Sequence, residues 1–190
     1  FGDYFKKEAC KWALDLSVNK FGLDKDRLFI TVYLDDDEAE LIWQELGVPK
    51  ERIYRFGEED NWWGPAGNEG ACGPCSELHY YTGDLDKIPD IFDPQVRKSW
   101  GPNLNDQFIE FYNLVFTQFY RDSDGNDKPL PHKNIDTGMG LERMVTILQG
   151  ANSIYETDHF QPLITKIEKL CGKKWGESPD ITKAINITSE

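Results

Sequence analysis

The stretch FIEFYNLVFTQFYR, residues 108–121, constrains this chain more than any other. It contains neither glycine nor proline and is almost continuously apolar, which marks a buried β-strand. Strand alternation divides it into two faces. Phe108, Glu110, Tyr112, Leu114, Phe116 and Gln118 fall on one, and Ile109, Phe111, Asn113, Val115 and Thr117 on the other. Each face holds polar groups in apolar company. An idle carboxylate is costly there, so Glu110 needs a partner or a task. On strict alternation it faces away from Asn113, which leaves a bulge or a buried ion pair to account for it.

The rest of the chain supplies elements around this strand. FGDYFKKEACKWAL is in phase for a helix, with Phe5, Ala9, Trp12, Ala13 and Leu16 on one face. Residues 28–34, LFITVYL, read as a strand, and DDDEAELIWQELG as a helix with acidic residues in its first turn and Gly47 at its end. RIYRF, residues 52–56, reads as a short strand before a Gly- and Pro-rich loop, GEEDNWWGPAGNEGACGPC. Residues 82–107 are turn-rich and show no period. DSDGNDKPLP reads as a turn or surface loop, and KNIDTGMGLERMVTILQG as a short strand, a glycine turn and a helix whose apolar face is Leu141, Met144, Val145 and Leu148. DHFQPLITKIEKLCG is expected to be the last amphipathic helix, stopped by Gly172.

Composition narrows the function classes. With 190 residues, 39% of them hydrophobic and 29% charged, the chain can bury a core without a metal or disulfide, and no apolar run reaches the length of a membrane span. A net charge of −13 argues against nucleic acid as the main partner of this segment. Four cysteines without a regular framework, and no apolar leader, favour a reducing, cytoplasmic setting. The chain opens without Met and already in helical phase, so it is expected to start inside a domain.

Two stretches carry chemistry. In DTGMGLER, residues 136–143, two glycines let a ligand approach the backbone, Asp136 brings a carboxylate, and Arg143 could fork onto a phosphate. Alone the motif is weak, because Gly and Asp make turns everywhere and a helical Arg is usually solvated or ion-paired. In ACGPCSELHYY, residues 71–81, Cys72, Cys75 and His79 could ligate zinc, Cys72 and Cys75 could form a redox pair, or the run could be a Gly-Pro turn with buried thiols.

Taken in order, FGDYFKKEA, DNWW with GACGPCSELHYYTGD, EFYNLVFTQFYRDSDGNDKPLP and IDTGMGLERMVTILQG resemble the catalytic domain of the alanyl-tRNA synthetases over essentially the whole chain. The resemblance implies an α+β fold, a class II synthetase antiparallel sheet flanked by helices, that joins alanine to ATP and passes the alanyl group to tRNA(Ala). Residues 1–190 would be part of that domain, from the end of motif 2 through motif 3 and the following helix. Motif 1 and the motif 2 arginine are expected upstream of Phe1, and the tRNA-reading and editing regions downstream of Glu190, so the isolated piece is expected to be inactive. Arg143 takes the role of the arginine on the ATP phosphate tail, with Gly140 beside it. Asp136 faces the alanine ammonium, Gly138 leaves room, and Trp63, Asn113 and Val115 line a methyl-sized pocket that would leak serine and glycine. Trp62 is expected in the core. Glu110 is a candidate for contact with Mg²⁺ or the nucleotide, and Glu77 and His79 are further nucleotide candidates.

The family also has a C-x2-C-x6-H-x2-H pattern with the look of a zinc site. Here the two histidine positions are Thr82 and Leu85. Zinc is therefore not expected, a thioredoxin-like redox unit is not expected either, and the cysteine stretch reads as a loop of the alanine and ATP site. The alternative functions are a synthetase-like paralogue that binds alanine or adenylate without aminoacylation, and a metal-binding interaction domain.

Overall fold

The structure, a computed structural model, describes residues 2–65 and 67–190. They form two compact units that meet in sequence between Gly140 and Leu141.

The first unit is built on the expected long strand. β1 (Leu28–Tyr33), β2 (Ile53–Phe56), β4 (Gly70–Tyr81), β5 (Phe108–Arg121) and β6 (Asp127–Met139) form one sheet in the order β2-β1-β4-β5-β6, and the two-residue β3 (Trp62–Trp63) pairs with β4. The sheet is mixed rather than wholly antiparallel, because β1 and β2 run parallel. That pairing is possible because α2 (Asp37–Glu45) carries the chain back between them. Asp36 caps α2 by accepting from Ala39 N at 3.0 Å, and Gly47 ends the turn beyond it with φ +85°.

One sheet face is closed by helices. Trp43 of α2 is fully buried and its Nε1 donates to Ser76 Oγ on β4 at 2.8 Å. α1 (Lys6–Asp15) packs on α2 and β5 with part of the expected face, Ala9 and Ala13, but without Trp12. Its buried side is Lys6, Ala9, Cys10 and Ala13, while Trp12 is 51% exposed and meets Tyr4 edge-on. Charge explains the difference: Lys6 Nζ lies 2.6 Å from Asp36 and 3.0 Å from Glu38, and sits over the Phe116 ring. A buried ammonium with two carboxylates turns the helix around its own periodicity.

Two expected loops are strands. The cysteine stretch lies wholly within β4, and the expected short strand and glycine turn of KNIDTGM are the last part of β6, which already begins at Asp127 inside the expected loop DSDGNDKPLP. Ala66, within the first of these loops, lies outside the described residues. The irregular segment 82–107 also has a structural task. Ile91 and Trp100 join Phe29, Tyr54, Tyr81 and Phe108 in an aromatic cluster, with Phe29 and Phe108 ring centres 5.0 Å apart, and this closes one end of the other sheet face.

The second unit holds α4 (Leu141–Gln149), α5 (Gln161–Cys171) and α6 (Pro179–Ser189), one helix more than expected. Its core is Phe160, Ile164 and Ile185 with Trp175 against them. Gly172 stops α5 in the left-handed region with φ +69°. The expected apolar face of α4 is corrected: Leu141 and Leu148 are exposed, and Met144, Thr146 and Ile147 are buried. No helix among the described residues is long and apolar enough to cross a membrane.

Candidate active site

The sheet face opposite α1 and α2 collects the candidate residues by register. Cross-strand partners share a face. Val115 lies opposite Asp136 and Asn113 opposite Gly138, so four expected alanine-site residues from two separate stretches form one compact square. Cys75 lies opposite Val115, Glu77 opposite Asn113, and Thr31 opposite Glu77, which extends the same face across β4 to β1.

Glu110 joins them through a bulge. Leu78 pairs with Tyr112 but His79 pairs with Glu110, so Phe111 is an extra residue in the ladder. The alternation is reset at that point. Glu110 therefore comes round to the face of Asn113 instead of facing away. Phe111 itself is 1% exposed and packs in the core.

Beneath the face runs a buried polar chain that sequence reasoning missed. Asn61, at the end of α3 (Glu58–Asn61), donates Nδ2 to Thr31 Oγ1 at 2.8 Å and to the Cys75 carbonyl at 3.3 Å. Thr31 Oγ1 donates to Glu77 Oε2 at 3.0 Å, and Asn113 Nδ2 donates to Glu77 Oε1 at 3.3 Å. His79 Nε2 sits 3.2 Å from Glu77 Oε2. His79 is 1% exposed, a buried histidine turned to a carboxylate. The one sequence signal was a hydroxyl and a carboxylate at the centres of apolar strands, Thr31 and Glu77; nothing marked Asn61.

The remaining candidates of the first unit, Asp136, Gly138, Gly140 and Trp63, lie on or next to its exposed strands. Asp136 is exposed on the edge strand, and its Oδ1 accepts from Thr137 N at 2.9 Å. A Cβ built on Gly138 meets no atom within 4 Å, so the space above it is open. Gly140 N donates to Phe111 O at 3.1 Å, which continues the β5 contact past the end of β6. Trp63 is 42% exposed on β3, opposite Gly73, and Trp62 is half-buried against Tyr33 and Phe119. Arg143 is exposed on the first turn of α4, in the second unit.

The cysteines are not arranged as a ligand set. Cys72 Sγ faces Asp127 Oδ1 at 3.6 Å and Cys75 Sγ faces the Asp60 carbonyl at 3.9 Å, while His79 is turned to Glu77. Among the described residues no three acidic, imidazole or thiol groups converge on a metal position. Burial, then the charge of Glu77, pushes the Cys75 thiol up to about 12. Burial, then Asp127, raises Cys72, and burial, then Asp36, raises Cys10 far above the ordinary thiol range. Cys171 alone of the four is exposed. In the native chain one thiol is expected to react with a disulfide reagent within minutes and all four after denaturation; a second fast thiol would refute the burial described for β4.

Comparison with known proteins places the chain in a family. A family profile described as "tRNA synthetases class II (A)" matches residues 1–189. The chain belongs to the class II tRNA synthetase family. Among its curated relatives, an alanine–tRNA ligase of Leptospira borgpetersenii serovar Hardjo-bovis (strain L550) is 50% identical over 184 residues, covering 96% of this chain and 19% of the relative. The alanine–tRNA ligase of Dehalococcoides mccartyi (strain CBDB1) is 45% identical over all 190 residues and 21% of its own length. A chloroplastic/mitochondrial alanine–tRNA ligase of Populus trichocarpa is 50% identical over 96% of this chain and 18% of its length. This class II synthetase segment thus spans about a fifth of the length of the curated relatives it matches.

Proposed function

We propose that this segment is the part of an aminoacylation domain that binds alanine and contributes to its activation by ATP, within an alanine–tRNA ligase acting on tRNA(Ala). It would run from the end of motif 2 through motif 3 and the helix after it, and act in the cytoplasm. The observation that carries the reading is the register that sets Asn113 and Val115 on β5 against Gly138 and Asp136 on β6.

The chemistry follows from these side chains. Alanine brings its own nucleophile, the carboxylate, so the protein must hold it in line with the α-phosphate rather than supply an acid or base. Asp136 pairs with the ammonium. Val115, with Trp63 at the rim, leaves space for a methyl group, and the absence of a side chain at Gly138 keeps the approach open. A face that carries Glu110 and Asp136 repels the phosphates of ATP, so cations have to offset it. Arg143 takes, by the family resemblance, the part of a permanently charged, planar donor to the phosphate tail. Magnesium, when bound, neutralises phosphate charge, and it needs only one or two protein carboxylates besides phosphate oxygens. Glu110, brought to the face by the bulge, is the residue that would hold it.

Isotope exchange between pyrophosphate and ATP, run on the protein as its gene encodes it, tests the reading. Alanine should support exchange, serine more weakly and leucine not at all. Exchange supported by another amino acid in place of alanine would sink it.

A further inference from the structure

The buried chain beneath the face has a direction, and one group sets it. As a carboxylate, Glu77 only accepts hydrogen bonds. Asn113 must therefore present its NH₂ to Glu77 Oε1, and Thr31 must point its hydroxyl proton at Glu77 Oε2. With its proton committed, Thr31 can only accept from Asn61, which turns that NH₂ inward too. Both amide oxygens are left over: Asn61 Oδ1 and Asn113 Oδ1 are buried and, among the described residues, have no hydrogen-bond partner, although both amides lie against the Cys75 thiol. Two orphan acceptors in one small region invite a group with several N–H donors and no acceptor. Asn113 is itself only half-buried and lies on the same face as Asp136.

We infer that Glu77 is a positioning residue for amino-acid recognition: by taking the Asn113 NH₂ it fixes that amide with its oxygen toward the substrate ammonium, beside Asp136. Glu77 touches neither substrate in this arrangement. It acts through Asn113, and His79 and Thr31 hold its other oxygen. The inference rests on the alanine-activating reading above.

The test replaces Glu77 by Gln, which can donate to the Asn113 oxygen and so reverse the amide. In pyrophosphate exchange by the whole protein, Glu77→Gln should raise KM for alanine about ten- to a hundredfold, with KM for ATP and the melting temperature close to wild type. In an Asn113→Ala background the same replacement should add less than about twofold, because the residue it acts through is gone. Equal rises in both KM values, or full additivity with Asn113→Ala, would mean a merely structural role and overturn the inference. Should the Gln variant not fold, Glu77→Asp retains the charge but draws back from Asn113, and an unchanged alanine KM there would also overturn it. A wild-type protein without alanine-dependent exchange would instead refute the underlying functional reading.

Discussion

Replacing Gly73 by Ala is expected to cost about 4 kcal/mol or more, enough to threaten a domain whose whole stability is on the order of 5–15 kcal/mol. A Cβ at this position would lie 2.1 Å from Phe116 O and 3.0 Å from Phe116 C, and both are backbone atoms of the neighbouring strand. No rotamer change can relieve that contact, so β4 and β5 would have to part at the centre of the sheet. Thermal unfolding should fall by roughly 10 °C or more. Gly138→Ala is the matched comparison, since its Cβ meets nothing within 4 Å. It should melt like the wild type and lose alanine-dependent exchange. If Gly73→Ala also melted like the wild type, the close approach of the two strands would be wrong.

Asp136→Asn should raise KM for alanine about a hundredfold while leaving stability nearly unchanged. The carboxylate is exposed, and its one fold-supporting bond is from Thr137 N to Oδ1, which an asparagine oxygen can also accept. What disappears is the charge offered to the ammonium, and a charge-assisted hydrogen bond within a small site is worth about 1.5–3 kcal/mol, or more where water is excluded. Steady-state exchange kinetics with alanine and ATP varied separately give the answer. A parallel loss in the ATP constant, or an unchanged alanine constant, would remove Asp136 from amino-acid binding.

These two residues also show how far the sequence could be read. The elements with strong periodicity, β1, α2 and β5, are legible, and so is the common face of Asn113 and Val115, because alternation puts residues two apart on one side. The stretch around Gly73 read as a turn because glycine and proline ordinarily punctuate chains. Here Gly73 is required by another strand's carbonyl, and Pro74 sits where β4 meets the two-residue β3. IDTGM misled in the same way: Gly138 is extended in β6, and its missing side chain serves the space above it. The burial of Lys6 and the exposure of Trp12 on α1 lie beyond such reading, because a pattern of apolar residues cannot reveal that Lys6 has carboxylates waiting on another element. The Asn61–Thr31–Glu77–Asn113 chain was out of reach for the same reason, since its members come from four separate parts of the sequence.

The extra residue in β5 bears on how such chains should be aligned. Between Glu110 and Asn113 the spacing is three, although both side chains reach the same face; a straight ladder would do this with a spacing of two. Loss of Phe111 would sacrifice a core ring yet leave Glu110 and Phe108 on the sides they now occupy. Loss of Asn113 or Leu114 would exchange the faces of the residues before it, sending Glu110 to the helix side. A relative with the acidic residue one position nearer the asparagine would therefore be its spatial equivalent, and a gap placed at Phe111 would be the evolutionary trace of a strand that was lengthened without being turned over.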